Sequence, residues 1–338
     1  MPKTNKSARP LTRRSFARGV AAAAVAAGAL PAWRAARAQQ NYPSRPVRFI
    51  IPFGAAGLAD ITARLAAEKL GDRLGQRFVV ENQPGPGGIA AVRTVLSQSP
   101  DGYTIGLVTN GTSISAALFK ALPFDPVKEF ATISTIGRFD LVFATNADSQ
   151  FQTLQDFIKA AKEQPGSLNV GTINVGGTQN LGAELFKSSA GLNFQIVPYR
   201  GTPDVIVALL RNDVQLMVDF YAPMKPTLME KKMRAVGTSG PQRSPFLADV
   251  PTVAQAGVPG YEVTSWNGVF APVGTPADII NALNKAIHEI VAIPELKQRY
   301  ADLGIEAQAS TPEQLKARLE GDIKKWAAVI ERAGIPKQ

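Results

Sequence analysis

The chain has 338 residues with one histidine and no cysteine, which excludes cysteine nucleophiles, cysteine-rich zinc sites and any site that needs two histidines. Its net charge of +10 is concentrated at the front. Lys3, Lys6, Arg9, Arg13, Arg14, Arg18, Arg34 and Arg37 have no acidic residue among them and leave +2 for residues 39–338, which carry no basic stripe of the kind a nucleic-acid partner needs.

The segment Thr12-Arg13-Arg14-Ser15-Phe16-Ala17-Arg18 precedes an apolar run from Val20 to Leu30, and Ala36-Arg37-Ala38 offers a small-x-small cleavage site. Residues 1–38 therefore read as a cleaved twin-arginine export signal, which places the mature chain in the periplasm. The apolar run is short of the roughly 20 residues a membrane span requires. Zero cysteine suits an oxidising compartment, and about 300 residues bury a sizeable core unaided.

From Val47 onward, short β-rich runs alternate with helical patterns, the signature of an α/β chain with a largely parallel sheet. Strands are expected at Val47 to Ile51, Phe78 to Glu81 and Thr104 to Val108. Between them stand a helix opened by Asp60 and another from Ile89 to Ser97, and a polar loop follows at Thr109 to Ser113. Ile133 to Thr145 reads as one strand or two leading out of this first lobe. A second unit then repeats the alternation, with strands at Leu168 to Val170, Gln195 to Pro198, Leu216 to Phe220 and Arg234 to Thr238. Past Gly260 the chain returns through a strand at Ser265 to Phe270 and helices from Pro276, Pro294 and Pro312. The last has Thr311 as N-cap and Leu315, Leu319, Ile323, Trp326 and Ile330 at helical spacing. His288 falls in an amphipathic helix and reads as a surface residue. Every polar loop lies after a strand, where open α/β sheets bind ligands.

The most informative loop runs from Gly171 through Thr172, Ile173, Asn174, Val175, Gly176 and Gly177 to Thr178. Its spacing approaches that of a phosphate loop, but Gly177 stands where the phosphate-reaching lysine belongs. A smaller anion such as a carboxylate, held at the N-terminus of the helix that begins at Thr178, is the sharper reading. A plain glycine-rich turn with Thr178 as N-cap is the other.

The chain resembles the extracytoplasmic solute-binding receptors of the tripartite tricarboxylate transporter type, also called Bug proteins, over residues 42–338. The resemblance is carried by Tyr42-Pro43-x-Arg45-Pro46, Ile51-Pro52-Phe53 with Gly57 and Asp60, Asn82-x-Pro84-Gly85-x-Gly87-Gly88 and Pro100-Asp101-Gly102-Tyr103-Thr104. Further on it is carried by Gly176-x-Thr178, Val197-Pro198-Tyr199-x-Gly201, Val250-Pro251-Thr252, Ser265-Trp266-x-Gly268 and Ala271-Pro272. It implies a type II periplasmic-binding-protein fold with two α/β lobes, 39–142 plus 260–338 and 143–259, around a ligand cleft. It also implies a monomeric, non-enzymatic protein without cofactor that captures a small carboxylate and delivers it to two integral membrane transporter subunits. A sensor for a membrane signalling partner is the close alternative. An exported hydrolase using Asp60 and Asp219 is a weaker one, since nothing in the sequence makes these carboxylates converge.

The family grips its ligands through backbone amides and bridging waters of two loops, here Phe53 to Asp60 and Gly171 to Thr178. The expected ligand-binding set is accordingly Phe53, Ala56, Gly57, Asp60, Asn110, Thr172, Asn174, Gly176, Thr178, Tyr199, Asp219 and Trp266. For Asp60 and Asp219 the competing roles are local helix and strand chemistry; for Tyr199 and Trp266 the competing role is core packing. Three positions depart from the family pattern. Ala56 replaces a glycine, Asn180 stands where a histidine is common, and Asn267 stands where an aromatic is common. Asn267 either reaches into the cleft or sits in a surface turn.

Overall fold

The computed structural model describes residues 42–55, 57–173 and 175–338; the proposed export signal, Ala56 and Asn174 lie outside them. Among the described residues no helix is long and apolar enough to cross a membrane.

The first α/β run comprises β1 (Val47–Ile51), α1 (Leu58–Leu74), β2 (Phe78–Asn82), a 3-10 turn (Pro86–Gly88), α2 (Ile89–Leu96), β3 (Thr104–Thr109) and α3 (Asn110–Leu118). Its strands pair in parallel with β1 in the middle. The stretch Thr109 to Ser113, expected as a loop, is instead the end of β3 running straight into α3. Its small polar side chains are buried, which a loop on the surface would not require.

A single 17-residue strand, β4 (Phe130–Asn146), follows. The second run is α4 (Leu154–Glu163), β5 (Asn169–Ile173), α5 (Thr178–Ser189), β6 (Gln195–Tyr199), α6 (Thr202–Leu210), β7 (Leu216–Phe220), α7 (Tyr221–Met229) and β8 (Met233–Thr238). Here β5 is the middle strand, parallel to β6 on one side and β7 on the other. Both halves thus have the same order, with the chain reversing direction across the sheet at its first strand. That reversal opens a crevice at the strands' C-terminal ends. The chain closes with β9 (Thr264–Pro272), α8 (Ala277–Val291), α9 (Pro294–Ala301) and α10 (Pro312–Arg332).

Strand β4 holds the halves together. Its residues Phe130 to Asp140 pair with β9, which in turn pairs with β3; from Leu141 on, it pairs with β7 and from Val142 with β8. Helix α10 does the same by packing. Leu315 and Leu319 join a core with Val108, Trp266 and Phe270, whereas Trp326, Val329 and Ile330 join one with Phe143, Phe157 and Phe186.

Gly171 is not part of a loop. It lies inside β5, where an added Cβ would meet Val205 at 2.7 Å and Val214 at 3.0 Å. Its glycine character lets α6 pack close, so the phosphate-loop spacing is incidental.

Asp140 sits where β4 changes partner, opposite Thr264, with Gly240 packed so tightly on its carboxylate that a Cβ there would overlap Oδ2. Burial pushes its pKa up to about 6, against an opposing hydrogen bond from Thr264. The folded chain therefore binds this proton more readily than the unfolded chain, and Asp140 adds stability as pH falls from 6 toward 4. In Asp140→Asn the slope of unfolding free energy against pH should be more positive across that window, by up to about 1.4 kcal/mol per pH unit. Urea melts at half-unit pH steps measure it; superimposable slopes would refute the assignment.

Candidate functional site

A cleft of about 990 Å³ opens at the C-terminal ends of β1, β3, β5 and β7. The segments that leave these strands become helices, and α1, α3, α5, α6 and α7 all begin at its wall, through Leu58, Gly111, Thr178, Thr202 and Ala222. The first turn of each helix carries N–H groups with no intrahelical partner and a partial positive charge. Among the described lining residues no lysine, arginine or histidine occurs, and Asp219 is the one ionisable side chain. Phe139 and Phe220, edge to face at 5.0 Å, supply an apolar surface.

The expected site residues divide into three groups. Phe53, Gly57, Gly176, Thr178 and Asp219 line the cleft. Ala56 and Asn174 belong to the same two loops but lie outside the described residues. Asp60, Asn110, Thr172, Tyr199 and Trp266 do not line it.

The third group shapes the cleft from behind. Asp60 is not the residue that opens α1: Gly57 is the N-cap, and Asp60 lies within the first turn with 2% of its surface exposed. Its carboxylate takes hydrogen bonds from Arg64 Nε (2.9 Å) and Asn82 Nδ2 (2.8 Å), and the same Asn82 amide donates to the Phe53 carbonyl at 3.0 Å. The network ties the first loop to the end of β2. Asn110 is fully buried. It donates to Thr178 Oγ1 (3.0 Å) and accepts from Trp326 Nε1 (2.8 Å), joining α3, α5 and α10. Trp266 donates to Asp322 at 2.7 Å and packs in the core. Tyr199 packs, half-buried, on the cluster around Val205 and Met217.

The second loop is held by Asn180, which accepts from the Gly176 amide at 3.0 Å and donates to Thr172 Oγ1 at 3.4 Å. Gly176 adopts φ 76°, a left-handed conformation that favours glycine, and a Cβ there would meet Leu118 at 3.0 Å. Asn180 and Thr172 thus set the loop's path, and the Gly176 amide is already used.

Asp219 accepts from Gln179 Nε2 (2.9 Å), Thr202 Oγ1 (2.5 Å) and the Phe220 amide (2.8 Å). Burial raises its pKa, and those three donors hold it down. Gln179 and Thr202 line the cleft and were not in the expected set, nor were Thr109, Ser265 and Asn267. Their sequence signals were present. Thr202 follows Gly201 at a helix start, and Ser265 and Asn267 flank Trp266 with the two-residue period that puts them on one face of β9.

Residues 62–335 match the model of the tripartite tricarboxylate transporter family receptor, TctC. The chain belongs to this family. Solved structures agree. A protein of R. palustris determined with adipate has a TM-score of 0.75 at 31% identity, covering 87% of this chain and 99% of that one. The periplasmic binding protein BugD gives 0.72 at 30% identity, covering 88% and 100%. MatC of Rhodopseudomonas palustris with bound malate gives 0.70 at 30% identity, covering 86% and 100%. The fold is thus that of the two-lobed periplasmic solute-binding proteins.

If Asp60 braces the first loop, Asp60→Ala should cost about 1–3 kcal/mol, because Arg64 and half-buried Asn82 both lose the buried carboxylate that accepts from them. Arg64→Ala should cost less, since the Arg64 side chain is 48% exposed and such ion pairs contribute about 0–1 kcal/mol. Denaturant melts of the two variants decide it; equal costs, or a neutral Asp60→Ala, would contradict the bracing role.

Proposed function

We propose that the protein is an exported, periplasmic, non-enzymatic receptor that captures a small carboxylate between its lobes and hands it to the two integral membrane subunits of a tripartite transporter. The observation that carries this reading is the cleft wall: helix N-termini converge on it while no cationic side chain lines it among the described residues. Aligned N–H groups stabilise an anion without a paired charge, and in a cleft screened from water such bonds are short and strong. The adipate- and malate-bound relatives support a carboxylate as the anion.

On this reading residues 1–38 are removed on export, one lobe comprises 39–142 plus 260–338, and the other comprises 143–259. The change of β4's partners between Asp140 and Leu141 supports a boundary there. The ligand-contacting set is Phe53, Gly57, Thr178 and Asp219, together with Ala56 and Asn174. Asp60, Asn110, Thr172, Tyr199 and Trp266 act behind it, and Gly176, which lines the cleft, spends its amide on Asn180. A ligand that touches both lobes favours the closed arrangement by its differential contacts, and the membrane subunits read that arrangement.

Thermal melts of the purified protein against mono-, di- and tricarboxylates test the reading. A ligand at a hundred times its dissociation constant contributes about 2.7 kcal/mol, which raises Tm by roughly 4 °C for a chain of about 300 residues. At least one carboxylate should do so while its amide or ester does not. A folded protein indifferent to every carboxylate, or one that turns a carboxylate over, would sink the proposal.

A further inference from the structure

Asn267 lies in β9 with 1% of its surface exposed, and its Nδ2 has no hydrogen-bond partner within the protein. It lines the cleft. Directly opposite, on the antiparallel neighbour β3, stands Thr109, which is 4% exposed, lines the same cleft, and has a hydroxyl that donates to no acceptor in the protein. The contrast with Trp266 is informative. That residue points to the other face of β9 and its polar atom is satisfied by Asp322. A buried donor left unmade costs about 1–3 kcal/mol, and two on adjacent strands at one wall of a ligand cleft form a site shaped for something that accepts hydrogen bonds.

We infer that Asn267 and Thr109 form a second, neutral subsite that binds an acceptor oxygen at the far end of the ligand, so that they select dicarboxylates over monocarboxylates. The inference rests on the carboxylate reading above and goes beyond it by naming the residues that choose among carboxylates. The two donors belong to β3 and β9, not to the loops that lead into α1 and α5, so they address a different part of the ligand. An apolar surface, Phe139 with Phe220, also lines the cleft and suits the methylene chain of such a ligand. An oxyanion is the strongest partner for two neutral donors, because charge-assisted hydrogen bonds are about twice as strong as neutral ones. A monocarboxylate would bury its methyl end against them and leave both unmade.

The test is calorimetric titration of the purified protein with straight-chain mono- and dicarboxylates of equal length, from four to eight carbons. Wild type should prefer the diacid of its best length by at least about tenfold over the matching monoacid. Asn267→Leu should bring that ratio near parity, weakening the diacid and strengthening the monoacid, whose methyl end no longer covers an unmade donor. Asn267→Asp should repel the diacid and turn preference toward the ω-amino acid of the same length. Thr109→Val, nearly isosteric, serves if a change at Asn267 prevents folding, and should lower the ratio in the same direction. An unchanged ratio in the folded variants, or no preference in wild type, would overturn the subsite while leaving the receptor reading intact. Binding of no carboxylate at all by folded wild type would overturn both.

Discussion

The site depends on one strand that serves two sheets. In β4 the pairing partner changes between Asp140 and Leu141, from β9 to β7, without a break in the strand. Each sheet is a parallel set whose first strand lies in the middle, and each therefore opens a crevice at the C-terminal ends of its strands. Joining them through a common antiparallel strand brings both crevices to one cleft. Helix α10 and the chain of Trp326, Asn110 and Thr178 reinforce the join with packing and hydrogen bonds.

This arrangement fixes the electrostatics before any side chain is chosen. A helix must leave each crevice strand, and its N-terminus then lies at the cleft with its positive end forward. An anion is favoured there by backbone alone, so cationic side chains are dispensable and Asp219 is tolerated only because Gln179, Thr202 and a backbone amide saturate its carboxylate. Side chains are left free to discriminate among anions, which is where Asn267 and Thr109 enter. Asp60 and Asn180 spend their hydrogen bonds on loop position, and Asn110 spends its own on joining α3, α5 and α10.

Much of the architecture was legible because its determinants are local. Apolar strands such as β1 and β7 announce themselves, and α10 carries its cap, its N1 proline and its apolar spacing within one stretch. What was not legible depends on the third dimension. No helix is expected over Tyr221–Met229, where Pro223 and Pro226 carry no amide hydrogen to donate, yet the structure forms one and keeps Pro226 inside it. Gly171 read as loop because its real constraint, the approach of α6, comes from residues more than thirty positions away. In the site, the two glycine-bearing loops could be found from spacing and family resemblance, whereas Asp60 and Trp266 read as ligand contacts because sequence shows a reactive group but not the partner that occupies it. Asn267 was visible as a departure from pattern, and only its burial and its strand neighbour Thr109 gave it a direction.

The most direct measurement is the amide nitrogen-proton NMR spectrum of the isotopically labelled protein during titration with the carboxylate that raises its Tm most. If backbone N–H groups at helix starts hold the anion, the largest downfield proton shifts will fall on amides in the first turns of α1 and α5, around Leu58 and Thr178, and will persist in 0.5 M salt. Shifts confined to other surfaces, or lost on adding salt as for a screened ion pair, would contradict the account.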